Sequence, residues 1–357
     1  MINQFGERLV TARKMAGMSM DSLARKAGGI VSKQAISKYE KGLINPGSEV
    51  VLALAKALDV KVDYFFRPPA FVISGIEFRK RSRLGKKEEE RIKYQTIDFI
   101  QKYLEVEEIL NACQDFKNPV TNHHIKTLDD IEAAALEIRR KWELGNGPIP
   151  NLIELLEDKG FKIIEVSSEG HFDGLSGFTK EGSIPVIAVF AERDLVRKRF
   201  TITHELGHLL LDFSDDMLLS REKRCHAFAG ALLLPKDVMI EELGRHRSKI
   251  TEWELKKLKG IYGMSMQAIM ARAHGLSIIS DHTWRQFNIF VNKRGWRKKE
   301  PGAYDGNESA SRLKQLVLHA AAEQIISFSK AAELLNLSLQ AFEQEVRVVS
   351  CDRFCGG

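Results

Sequence analysis

Phe200-Thr201-Ile202-Thr203-His204-Glu205-Leu206-Gly207-His208-Leu209-Leu210-Leu211 is the stretch on which the reading of this chain turns. It reads as a helix with histidines at i and i+4. Those positions lie one turn apart on one face, so both rings reach a single metal ion. Glu205 follows the first histidine directly. A glutamate in that place is no ligand; it is the base that takes a proton from water activated by the ion. Phe200, Ile202, Leu206, Leu209 and Leu210 anchor the helix in a core. A catalytic zinc usually takes three protein ligands and keeps a fourth position open. A third ligand is therefore expected outside this helix.

The next helical segment is Glu222-Lys223-Arg224-Cys225-His226-Ala227-Phe228-Ala229-Gly230-Ala231-Leu232-Leu233-Leu234-Pro235. The two segments together resemble the ImmA/IrrE family of zinc metallo-endopeptidases. The resemblance implies that Glu222 is the third ligand, beside His204 and His208, with Glu205 as the catalytic base. The family usually has Ala-Asn or Ala-Asp where this chain has Cys225-His226. His226 lies four residues after Glu222 and shares its helix face, so it is read as a partner that orients a ligand. It also competes with Glu222 as the ligand, and Cys225 is a weaker rival. The donor to the oxyanion stays open among His171, Arg199, His226 and His246.

Around these helices, residues 145–249 read as a zincin-like α+β peptidase domain. Leu152–Lys159 is a short helix. Residues 161–166, 173–179 and 184–190 alternate or branch as strands do. Pro185 suits an edge strand. Either 173–179 or 184–190 is expected to hold a substrate by β-augmentation, since main-chain pairing extends a cleavable segment.

Residues 1–67 read as a bundle of short helices, with Phe5, Leu9 and Ala12, then Leu23, Ala24 and Ala27, then Val50, Leu54 and Leu58 at helical spacing, and Val62, Tyr64, Phe65 and Phe66 closing the core. Arg13, Leu23-Ala24, Ile36-Ser37-Lys38-Tyr39-Glu40-Lys41-Gly42 and Pro46 resemble the XRE-type helix-turn-helix of phage repressors. The resemblance implies a recognition helix starting near Ser32 and entering the major groove of double-stranded DNA. Arg13, Ser32, Lys33, Gln34, Ser37 and Lys38 are the candidate DNA contacts. Gln pairs with adenine, and Lys with guanine or phosphate. Charge agrees. This segment holds eleven Lys and Arg against six Asp and Glu, nearly the whole net charge of +6. Two departures stand out: Met20 near the place of a usual glutamine, and a longer turn at Gly28-Gly29-Ile30-Val31.

Residues 68–144 read as a helical linker region. It opens on Pro68-Pro69, passes a short strand and basic turn within 71–83, and holds helices over 86–110 and from Thr127 to about Leu144. His123-His124 are read as loop. Residues 250–357 read as a helical C-terminal domain used for packing and partner docking. Ser265–Ala273 and Ile326–Ser338 repeat a helix-turn-helix outline there. The fold class is thus mainly α with a small β-sheet.

The 357 residues suffice for two or three domains. Cys113, Cys225, Cys351 and Cys355 form no C-x-x-C pair and no disulfide framework, which places the chain in a reducing cytoplasm. No run approaches ~18 apolar residues, so no membrane partner is expected. Cys351 and Cys355 read as a labile thiol pair. The expected function is a DNA-binding transcription regulator with a zinc-dependent endopeptidase domain. By resemblance its substrate is a repressor of the XRE type. Cleavage of the chain itself near Pro68-Pro69 is a further possibility. The alternative is an antitoxin-like DNA-binding protein whose zinc domain is structural or docks a toxin partner. A homodimer is compatible with the palindromic operators such domains read.

Overall fold

The computed structural model describes residues 4–66, 76–78, 85–121, 124–167, 173–179, 184–192, 194–213 and 220–347. The first unit comprises α1 (Gln4–Met15), α2 (Met20–Lys26), α3 (Lys33–Glu40), α4 (Ser48–Leu58) and a closing 3-10 turn, Val62–Phe65. Leu9, Leu23, Ile36, Leu54 and Phe65 are fully buried at its centre. Ser19 and Ser32 cap α2 and α3, their hydroxyls accepting from the amides of Ser22 and Ala35. The turn between them uses Gly28 and Gly29 at φ of 76° and 75°. Only glycine enters that left-handed region at no steric cost.

The second unit is organised on a sheet. Its elements are β1 (Ile76–Phe78), α5 (Lys86–Ile109), β2 (His124–Ile125), α6 (Leu128–Lys141), α7 (Leu152–Asp158), β3 (Lys162–Val166), β4 (Gly174–Thr179), β5 (Pro185–Phe190), α8 (Leu195–Leu210), β6 (Asp212–Phe213), α9 (Arg221–Leu233) and α10 (Lys236–Leu243). The strand order is β1-β4-β5-β3. β4 runs antiparallel to both neighbours, and β5 runs parallel to β3. Side chains of a strand alternate between faces, and here both faces are covered. Ile163, Ile187 and Val189 pack with Ile202 and Leu206 of α8. Ile164, Val166, Leu175 and Ala188 pack with Ile92 of α5, while Val186 meets Ile97 and Ile100 of the same helix.

Three expectations change. β5 is internal to the sheet, so Pro185 does not mark an edge; it is the first residue of its strand, where no ladder amide is missed. His124 is not loop: β2 pairs in parallel with β6, His124 opposite Asp212. The stretch 68–144 does not stand apart as a linker. Ile131, Ala134, Ala135 and Ile138 of α6 share one core with α8 and α9. The α6 N-terminus does carry the anticipated cap, with Thr127 and Asp130 forming a reciprocal capping box. Pro68-Pro69 and most of 71–83 lie outside the described residues, apart from β1.

The last unit comprises α11 (Glu252–Tyr262), α12 (Met266–Gly275), α13 (Asp281–Lys293), α14 (Arg312–Ala322), α15 (Phe328–Leu334) and α16 (Leu339–Arg347). It is sewn to the second. Leu255, Met266, Ile269 and Met270 share a core with Leu233, Leu234 and Met239. The segment before α14 acts as a strap. Glu308, fully buried, accepts from the amides of Leu152 and Ile153 at the start of α7 and pairs with Arg199 of α8. Glu300 accepts from the amides of Met266 and Gln267 and so caps α12. Residues 331–342 pack through Ala331, Ala332, Leu334 and Phe342 onto Tyr103 and Val106 of α5. The repeated helix-turn-helix outline therefore serves packing. α5 is the spine common to all three units: α1 docks along it, with Arg8 donating to Gln101 at 3.4 Å.

No helix among the described residues is long and apolar enough to cross a membrane.

Candidate metal centre and nucleic-acid face

Asp194 caps α8 by accepting from the amides of Val196 and Arg197. From there the helix runs into the core, so His204, Glu205 and His208 are 3%, 1% and 4% exposed. Gly207 permits the approach of α9: a Cβ there would stand 2.8 Å from Cδ1 of Phe228. The approach brings Glu222 over the two histidines. Its Oε2 lies 3.3 Å from Nε2 of His204, and its Oε1 lies 3.2 Å from Nε2 of His208. The two Nε2 atoms are 3.2 Å apart.

That triangle can be tested against a metal. Donors bound tetrahedrally at 2.0–2.1 Å stand roughly 3.3–3.4 Å from one another. The two ring nitrogens stand at that spacing, and each has one of the two Glu222 carboxylate oxygens at a similar distance, so these side chains could hold a zinc ion together. A second set, His204, His208 and Cys225, also gathers within 4.8 Å. The ring contacts favour the first. Sγ of Cys225 lies 3.4 Å from Nδ1 of His208, the ring nitrogen other than the one that meets Glu222. Cys225, at 0% exposed, thus backs His208 rather than joining the triangle. The sequence read this cysteine as a small core residue or a rival ligand. Its contact with His208 follows from helix packing, which no spacing encodes.

His226 is exposed beside the pair. Its ring lies 4.4 Å from that of His204, tilted by 47°, and stacks on Phe200 at 5.6 Å. Nδ1 of His204 is buried with no hydrogen-bond partner among the described residues.

Glu205 points at β4. Ser176 donates its hydroxyl to Oε2 of Glu205 at 2.8 Å. Leu175 faces α5, so Gly174 and Ser176 face α8, by the alternation of the strand. Gly174 leaves room for the carboxylate: a Cβ would lie 3.2 Å from its Oε1 and 2.7 Å from Cγ2 of Thr201. Ser176 and Gly174 were missed in the sequence. Small residues at i and i+2 of a strand preceding the helix were the available signal.

Of the oxyanion candidates, Arg199 is removed. It is fully buried, paired with Glu308, and donates to the carbonyl of Ile149. His246 lines a cavity with His274 and Asp281. His171 lies outside the described residues, as do Cys351 and Cys355.

In the first unit, Ile36 and Tyr39 are buried and fix α3 to the core, which turns Lys33, Gln34 and Lys38 to solvent with Ser37 half-buried. Lys33 is ion-paired with Asp21 at 2.8 Å, both half exposed. Such a pair contributes little and is readily exchanged for a phosphate. Ser32 is committed to its cap. Arg13 does not join this face. It is buried, forms a two-pronged pair with Glu40 at 2.5 and 2.8 Å, and donates to the carbonyl of Met18. Its charge is spent inside the domain, which corrects the expectation of a DNA contact.

Comparison with known families agrees with this division. Residues 9–65 match the helix-turn-helix family, and residues 156–274 match the IrrE N-terminal-like domain. The chain therefore joins a DNA-binding type of domain to a metallopeptidase-like one. No curated protein matches the chain.

Proposed function

We propose that this chain is a cytoplasmic DNA-binding regulator carrying a zinc-dependent endopeptidase, and that its substrate is a repressor-type protein. The observation that carries the reading is the convergence of His204, His208 and the two carboxylate oxygens of Glu222, at contacts of 3.2–3.3 Å, with Glu205 beside it. Zinc held there supplies a Lewis acid for a peptide carbonyl and makes nearby water easier to deprotonate. Glu205 accepts that proton and hands it to the departing amine. Its burial and the Ser176 hydroxyl hold the carboxylate in one place between the two transfers. His226 orients His204 through their ring contact, and Cys225 orients His208 from behind.

The edge of β4 supports a substrate track. Among the described residues β1 pairs with Gly177–Thr179. Gly174–Ser176 continue the same strand against Glu205, and an extended substrate adding there as a strand would lie beside the catalytic carboxylate. DNA binding belongs to the first unit, through Gln34 on base edges and Lys33 and Lys38 on phosphates, with Ser37 at their side. The alternative reading, an antitoxin-like protein in which the zinc domain is structural or docks a toxin, predicts metal without turnover. Incubating the zinc-loaded chain with a candidate repressor separates the two. Fragments that vanish with a chelator and in Glu205→Gln support the peptidase; an intact repressor in every lane refutes it.

A further inference from the structure

One turn before His204, α8 borders a cavity of about 740 Å³ between its own start, the start of α12 and the loop 296–304. Phe200, Trp296 and Tyr304 form walls, and Arg297, Lys298 and Lys299 stand at the rim. All three cations are exposed. The acids beside them are occupied. Asp194 caps α8, and Glu300 caps α12 while lying 3.7 Å from Lys259. Lys298 and Lys299 have no ion-pair partner among the described residues. The cavity therefore presents uncompensated positive charge.

The cavity neighbours the metal centre through one side chain of α8. Phe200 lines it and stacks on His226 at 5.6 Å, and His226 meets His204 at 4.4 Å. Phe200 precedes His204 by one helical turn, roughly 6 Å along α8, about two residues of extended chain. The aromatic walls are already engaged. Arg199 lies over Tyr304 at 4.9 Å, and Phe290 packs edge-on to Trp296 at 5.0 Å. Charge, rather than stacking of a base, is left as the recognition chemistry.

We propose that this cavity is a subsite for acidic side chains, so that the preferred substrate carries Asp or Glu a few residues from the cut. The inference rests on the peptidase reading above. Lys298 and Lys299 determine the preference, with Arg297 beside them. Like-charged substrate segments are repelled from the same rim, which sharpens the selection.

The test uses the full-length, zinc-loaded Glu205→Gln chain and a fluorescein-labelled Asp-rich decapeptide, with its Asn counterpart as reference. Anisotropy should show the Asp peptide bound more tightly. Adding Lys298→Glu with Lys299→Glu should weaken it about tenfold, the size of two solvent-exposed ion pairs. Lys33→Glu with Lys38→Glu, on the first unit, should leave the preference intact. A preference that survives the rim variants overturns the subsite, and so does ATP displacing the peptide as well as an acidic competitor does. Digestion of a peptide library by the wild-type chain is the second arm. Cleavage with no acidic preference overturns the subsite alone. Binding preference with no cleavage of any peptide overturns the peptidase reading and leaves an acidic-peptide site standing.

Discussion

Glu222→Ala, set against Cys225→Ala, decides which side chain completes the metal triangle. In the structure Glu222 offers both carboxylate oxygens to the histidine pair at 3.2 and 3.3 Å, whereas Sγ of Cys225 lies 3.4 Å from Nδ1 of His208. Structural zinc in small folded peptides is worth ~10–16 kcal/mol over four ligands, hence about 3–4 kcal/mol for each. Losing Glu222 should therefore weaken zinc by about 10²–10³-fold. Cys225 acts behind the ring, and a thiol is a weak partner, so its removal should cost about tenfold, the low end for a residue that orients a ligand. His226→Ala should fall in the same lower range. Zinc competition with a chromophoric chelator measures all three, and cobalt substitution adds an independent readout. Wild-type cobalt protein should lack thiolate-to-metal charge-transfer absorption. Strong absorption of that kind, lost in Cys225→Ala while Glu222→Ala binds normally, would refute the assigned triangle and favour a His-His-Cys set.

Other outcomes follow from the same structure. Burial pushes the Glu157 carboxyl up to about 7 from its ordinary 4.5. The unfolded chain releases this proton first, so stability is lost as pH rises from about 4.5 to about 7, by about 3 kcal/mol. Glu157→Gln should flatten that decline in urea unfolding at pH 5 and 8; parallel profiles would contradict it. Arg13→Ala removes the buried two-pronged pair with Glu40 and should destabilise the first unit by about 3–5 kcal/mol. Thermal unfolding should show this, and a stable variant that merely loses DNA affinity would restore Arg13 to the interface. Gln34→Ala should reduce discrimination between DNA sequences more than overall affinity, with binding falling steeply in salt throughout. A uniform loss on every sequence would make Gln34 a backbone contact.

The two-histidine helix, the second helix and the first four-helix unit were legible because local spacing encodes them. Periodicity placed His204 and His208 on one face, and Ser32 announced the start of α3. What stayed hidden depends on partners distant in sequence. Arg13 reads as a surface cation until Glu40 is folded against it. Pro185 reads as an edge residue because proline avoids sheet interiors, yet the first position of an internal strand suits it equally. Glu300 and Glu308 sit in a segment without periodicity, and nothing local shows that each caps a helix far earlier in the chain. Glu222 was reached through family resemblance. In the structure its carboxylate meets both histidines, a convergence that supports the proposal.

The central claim is that the chain cuts another protein by means of Glu205 and the adjacent metal triangle. The most direct measurement compares new protein N-termini in cells expressing the wild-type chain with those in cells expressing Glu205→Gln. At least one new terminus, within a helix-turn-helix repressor, should appear only with the wild type. Identical sets of termini, with both proteins folded and zinc-loaded, would contradict it.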